Sequence, residues 1–307
     1  MTAFAQKAHA LWDTDFVYKF RQSKITVFAF TIATILIFSG IFSVWISPHD
    51  PFDTASFNLM DSELPPSFIE DGDGRFFLGT DIQGRDVYSL MLYGLKISLI
   101  VGFMSVAMSA VLGVSLGILS GYVGGALDAF IMRFSDAMLS FPTIMFALLV
   151  SGVARGILPQ AYHDDMMLYI IVFSITLTGW MQYARTVRSS VFLEKNKEYV
   201  QAAKVMGVAP FKIMFTHILP NTLSPLLVLA TLHLALAILT EATLSFLGVG
   251  MPPHQPSLGT LINEGNSYLF SGQWWVVFFP SLMLVLLALS VNIVGDWLRD
   301  ALNPKLN

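Results

Sequence analysis

Ile97-Ser98-Leu99-Ile100-Val101-Gly102-Phe103-Met104-Ser105-Val106-Ala107-Met108-Ser109-Ala110-Val111-Leu112-Gly113-Val114-Ser115-Leu116-Gly117-Ile118-Leu119-Ser120 runs for 24 residues without a charged side chain. The hydrocarbon core of a bilayer is about 30 Å thick, so a spanning helix needs about 20 mostly apolar residues. This stretch is long enough. Working outward, five further apolar blocks qualify, at 25–46, 137–154, 166–183, 222–240 and 274–295. The block at 137–154 is short and contains Pro142. The reading is an all-α polytopic membrane protein of about six spans.

Composition agrees. The 307 residues are 55% hydrophobic and only 12% charged, against about 25% charged in a typical soluble domain. There is no basic stripe of the kind nucleic acid demands. Cysteine is absent, which excludes disulfides, thiolate metal sites and cysteine nucleophiles. The histidines are scattered without ligand spacing, and His163-Asp164-Asp165 reads as a solvated loop. The block at 25–46 is too long for the apolar core of a cleaved leader, about 7–15 residues. It is read as a retained first span.

Lys and Arg placement sets the orientation. Lys7, Lys19, Arg21, Lys24, Arg133, Arg185, Arg188, Lys195, Lys197, Lys204, Lys212, Arg299 and Lys305 fall on one side of a six-span arrangement. Arg75, Arg85, Lys96 and Arg155 fall on the other. Both termini are therefore expected in the cytoplasm. Residues 1–24 mix Leu11, Trp12, Phe16 and Phe20 with charged residues, a pattern that suits a helix lying in the inner interface. Residues 48–94 and 250–273 are read as outer loops, with Ser257 open to reagents from outside. Residues 184–221 are read as a long inner loop.

Ser105, Ser109, Gly113, Gly117 and Gly121 recur at every fourth position and so share one helix face. Small residues let helices approach closely in lipid, so this face is expected to pack against another helix. In the inner loop, Lys197-Glu198-Tyr199-Val200-Gln201-Ala202-Ala203-Lys204-Val205-Met206-Gly207 has helical spacing. Gly207 stands where a left-handed cap belongs, Pro210 blocks continuation, and Leu219-Pro220 follows. Ala202 and Ala203 are expected to offer a shallow surface to a partner. In the first outer loop, Gly79 and Gly84 permit turns, and Asp81, Arg85 and Asp86 are poised to pair. Two readings stand there, a loop lock and a contact for a binding protein. Glu241 lies at the edge of a span and His233 within one. Both are pathway candidates, with structural hydrogen bonding as the other reading. No phosphate-cradling loop, nucleophile elbow or zinc-helix motif occurs.

The inner segment resembles the cytoplasmic coupling motif of ABC importer permeases, E-A-A-x3-G followed by x-L-P. It matches at Ala202, Ala203, Gly207, Leu219 and Pro220, and departs at Gln201, where the family usually has Glu. Leu78-Gly79-Thr80-Asp81-Ile82-Gln83-Gly84-Arg85-Asp86-Val87, Glu241-Ala242-Thr243-Leu244-Ser245-Phe246-Leu247-Gly248-Val249-Gly250 and Gly295-Asp296-Trp297-Leu298-Arg299-Asp300-Ala301-Leu302-Asn303-Pro304 resemble signatures of the dipeptide/oligopeptide/nickel group. Length and the long first outer loop resemble the C-type member of a permease pair. The resemblance implies a type I ABC importer permease fold in a bacterial inner membrane, with a permease domain at 25–300 and a tail at 301–307. It implies a coupling site at Glu198, Tyr199, Gln201, Ala202, Ala203, Gly207, Leu219 and Pro220. It places an outer-loop signature at Gly79, Thr80, Asp81, Gly84, Arg85 and Asp86. The implied partners are a homologous permease, two ATP-binding subunits that carry ATP and Mg, and an extracytoplasmic binding protein. No cofactor is expected on this chain, which is not itself the enzyme. Short peptides are the implied cargo, with nickel chelates or glutathione as alternatives. A secondary transporter would need broken or charged mid-membrane helices.

Overall fold

The computed structural model describes residues 15–53, 59–159 and 162–302. The expectations for Leu11, Trp12 and Lys305 lie outside the described residues. A short helix α1 (Asp15–Gln22) leads into α2 (Lys24–Ile41), α3 (Val87–Val123), α4 (Gly125–Leu139), α5 (Thr143–Ile157) and α6 (His163–Glu194). Then follow α7 (Glu198–Val205), α8 (Leu223–Phe246), α9 (Leu258–Asn266) and α10 (Trp274–Ala301).

Helices α2, α3, α6, α8 (over Pro225–Phe246) and α10 are long and apolar enough to cross a membrane. The sixth crossing differs from its expectation. The run 137–154 is not one straight span but straddles a 95° bend between α4 and α5. Proline explains the break. Pro142 has no N–H to donate and disfavours helical backbone at Phe141, so one helix stops at Leu139 and the next begins after Pro142.

Two loop boundaries also move. Residues 87–94, read as loop, are the first turns of α3, because Asp86 caps it by accepting the Ser89 N–H at 3.1 Å. Residues 184–194 likewise continue α6. At 37 residues α3 is about 55 Å long, so it extends beyond the hydrocarbon or tilts within it. The segment 250–273 is no open loop. It folds inward as α9, whose Leu258 and Leu261 are buried. Ser257, expected at the surface, is fully buried and caps α9 through the Thr260 N–H.

The small-residue face of α3 is the main seam of the bundle, and it lies on α6. A Cβ on Gly113 would sit 2.3 Å from the Trp180 carbonyl oxygen and 2.5 Å from Tyr183 Cβ. Gly117 and Gly121 meet the carbonyls of Ala184 and Arg188 in the same way. Helix propensity alone favours Gly113→Ala by about 1 kcal/mol. The seam reverses that sign, and the expected outcome is a destabilisation of about 1–3 kcal/mol, since added volume must push against backbone. Gly152→Ala, in α5 with nothing within 4 Å of its Cβ position, is expected to be neutral or stabilising. Unfolding midpoints of the two variants in one detergent check this.

Candidate functional site

Helix α7 lies between the spans α6 and α8, and its end is capped. Gly207 has φ +74°, a backbone that L side chains resist. Its N–H donates to the Lys204 carbonyl at 3.0 Å and the Val208 N–H to the Ala203 carbonyl at 3.1 Å, the pair of bonds that defines a Schellman cap. Beyond it the backbone winds as a π turn, Ile213–Ile218, and then a 3-10 turn, Leu219–Thr222. Pro220 has no N–H for the carbonyl four residues back, so regular α-helix cannot pass through it.

One side of α7 faces the protein. Val200 and Ala203 are buried with Tyr183, Val187, Val191, Ile213, Met214 and Ile218, and Leu219 packs at the edge of this cluster. The expectation that Ala203 faces a partner is therefore corrected, because the helix turns it inward against Ile213. Ala202 is exposed, as are Gln201 and Pro220. The apolar surface that remains outside is larger than the two alanines implied. Val205 is 89% exposed, Met206 73% and Phe211 68%.

Polar contacts fix the start of α7. The Tyr199 hydroxyl donates to Glu194 Oε2 at 2.6 Å and accepts from Asn221 Nδ2 at 3.0 Å. Lys197 Nζ donates to Glu194 Oε1 at 2.6 Å, which raises the Lys197 pKa. Gln201 Nε2 donates to the Lys195 carbonyl at 3.0 Å, a bond that a carboxylate at this position could not make. Glu198 lies in the first turn of α7 and Lys204 in its last, each matching the helix dipole.

The signature residues in the segment read as the first outer loop bind one another and the helices beside them. Gly79 and Gly84 take φ of +81° and +76°. Thr80 is fully buried. Its hydroxyl donates to the Asp61 carbonyl at 2.6 Å and accepts the Leu64 N–H at 2.8 Å. The Thr80 carbonyl accepts from the Trp275 indole N–H at 3.0 Å. Asp81 Oδ1 accepts the Gln83 and Arg85 N–H groups, and its Oδ2 accepts Arg85 Nε at 2.6 Å. Arg85, only 5% exposed, reaches on to Glu264 Oε2 at 3.3 Å. Burial pushes the Glu264 carboxyl up, and Arg85 opposes the shift. The first outer loop is thereby tied to α9 and α10.

Glu241 and His233 are both buried within this chain. Glu241 is fully buried, accepting from Ser98 Oγ at 2.8 Å and from Ser245 Oγ at 2.7 Å. Ser98 also accepts the Leu258 N–H at 3.3 Å, and Ser257 donates to Ser245 at 3.1 Å. This hydroxyl network fastens α9 to α3 and α8. His233 is buried against Gly179, with Nδ1 3.2 Å from the Tyr183 hydroxyl. The sequence offered no signal for these pairings, since Ser98 and Glu241 lie 143 residues apart. Among the described residues, no group of three or more His, Cys, Asp or Glu could hold a metal ion.

Residues 113–307 match a family described as binding-protein-dependent transport system inner membrane component. Residues 11–66 match the N-terminal TM domain of oligopeptide transport permease C. The dipeptide transport system permease protein DppC of Haemophilus influenzae is 38% identical over 292 residues, covering 95% of this chain and 94% of that protein. The oligopeptide transport system permease protein OppC of Bacillus subtilis is 35% identical over 302 residues, covering 98% and 92%. Among solved structures, an inward-facing MetNI methionine ABC transporter matches with a TM-score of 0.55 at 22% identity, over 70% of this chain and 96% of that chain. That last likeness concerns the fold alone.

Proposed function

We propose that this chain, which belongs to the family of binding-protein-dependent transport system inner membrane components, is the C-type permease of an ATP-driven importer of short peptides. The observation that carries the reading is near-full-length similarity to dipeptide and oligopeptide permeases. The permease supplies a path and a lever. A second permease completes the path, a binding protein delivers cargo outside, and two ATPase subunits act below. No residue here performs a chemical step. ATP binding on the partners would pull α7 with them, and the spans would rock between inward and outward openings.

The support for α7 as that lever is local. A short helix with a rigid cap, lying between α6 and α8, leaves Val205 and Met206 in solvent, and Phe211 just beyond it is exposed too. Apolar side chains at such exposure are what a docking partner covers. The apolar Val200 and Ala203 on the opposite side join α7 to the core, so a displacement of α7 is passed to α6.

Both termini are placed in the cytoplasm in this reading. The chain has no cysteine, so single cysteines carry no background. In sealed cells, a membrane-impermeant thiol reagent should label Glu70→Cys, which is exposed, and leave Lys197→Cys unlabelled. Ser257→Cys should also stay silent, because its site is buried. Labelling of Lys197→Cys from outside would overturn the orientation. Peptide cargo is tested by uptake of labelled di- and tripeptides in cells lacking the gene. Wild-type uptake in those cells would end the proposal.

A further inference from the structure

A groove of about 370 Å³ runs between α2 and α3, lined among others by Ile37, Ile41, Lys96, Ile100, Phe103 and Met104. Apart from Lys96 it is apolar. Two markers set its depth. Lys195, in the inner loop, donates to the Gly121 carbonyl of α3 at 2.8 Å, so Gly121 lies near the inner surface. Lys96 is 25 residues further along the same helix, about 38 Å away. That is slightly more than the hydrocarbon thickness of about 30 Å. With α3 upright and the orientation proposed above, Lys96 would sit at the level of the outer headgroups. Trp45, exposed on the turn after α2, marks the same level, where indoles concentrate.

Lys96 is half-buried, and among the described residues it pairs with no acid. Its positive charge stands at the top of an apolar channel that descends about 12 Å along α3, from Lys96 to Met104. Ile37, Ile41, Ile100, Phe103 and Met104 give this channel the apolar lining that an acyl chain matches. A chain below with an anion above describes one kind of molecule in this solvent.

We propose that this groove binds one anionic phospholipid of the outer leaflet, its phosphate on Lys96 and one acyl chain against Ile41, Ile100 and Phe103. The lipid would lie beside the close contact of α2 with α3 at Gly40, whose Cβ position lies 2.7 Å from Leu99 Cδ1. The first helix would then be held to the bundle partly by lipid.

Native mass spectrometry of the full chain, purified with its co-purifying subunits, tests this. The probe is an equimolar mixture of phosphatidylglycerol and phosphatidylcholine. Wild type should retain one phosphatidylglycerol with about fivefold preference, the weight of one basic side chain against an anionic lipid. Lys96→Gln should bring the preference near unity, and Lys96→Arg should keep it. Ile41→Trp, which fills the groove and leaves the charge, should lower retention of both lipids. A benzophenone side chain introduced at Phe103 should crosslink to lipid. The proposal is overturned if Lys96→Gln retains phosphatidylglycerol like wild type or Ile41→Trp has no effect. Crosslinking of position 103 to a protein subunit, which would mean that a partner covers the groove, overturns it equally.

Discussion

Arg85→Met is expected to destabilise the folded chain by about 3–5 kcal/mol, the usual cost of stranding a buried charge. Arg85 is 5% exposed and lies 2.6 Å from Asp81 Oδ2 and 3.3 Å from Glu264 Oε2. Removing the guanidinium leaves the buried Asp81 carboxylate with backbone donors only. It also removes the ion pair from the first outer loop to α9, leaving Leu261 in the apolar cluster with Leu78 and Val87. Arg75→Met is the control. Arg75 also pairs with two acids, Asp61 and Asp73, but is 57% exposed, and exposed pairs contribute little. Its unfolding midpoint should match wild type. The double variant Arg85→Met/Asp81→Asn should regain part of the loss, since the stranded charge is gone. Equal midpoints for Arg85→Met and Arg75→Met would show that Arg85 does not lock the loop.

Val205→Asp and Met206→Asp are expected to abolish transport while the chain stays folded in the membrane. Both side chains stand in solvent in the isolated chain, so folding should not register the change. In a docked interface each would bury an unpaired carboxylate. Loss of a central apolar contact typically costs about 2 kcal/mol or more, roughly a thirtyfold weaker complex. ATPase subunits should therefore fail to co-purify, at normal membrane abundance. Ala203→Leu separates the two faces of α7. Ala203 is buried against the chain's own core, so added volume there should lower abundance and stability by about 1–3 kcal/mol. Gly207→Val should damage the cap, since a β-branched residue resists φ +74°. The decisive readouts are pull-down and uptake side by side. If Val205→Asp and Met206→Asp keep both at wild-type levels, α7 is a connector and the lever lies elsewhere.

Much of this protein could be read from its sequence because the relevant signals are local or periodic. Apolar runs of bilayer length announce helices, since lipid offers no partner for a bare backbone group. The four-residue recurrence of Ser105, Ser109, Gly113, Gly117 and Gly121 marks a close-packing face whatever helix it meets. Gly207 followed by Pro210 marks the end of α7 through backbone rules alone. The tertiary structure decided which partner each face takes, because those contacts join residues far apart in the chain. It put Ala203 inside and Val205 outside, although both belong to one amphipathic turn. It buried Ser257 in a stretch rich in proline and glycine that reads as open loop. It placed Glu241 among the hydroxyls of Ser98 and Ser245, and gave Arg85 its second acid from α9. Local sequence marks apolar runs of bilayer length and the backbone stops set by glycine and proline. A buried polar group's partner is fixed only when the whole bundle has closed and water is no longer available to satisfy it.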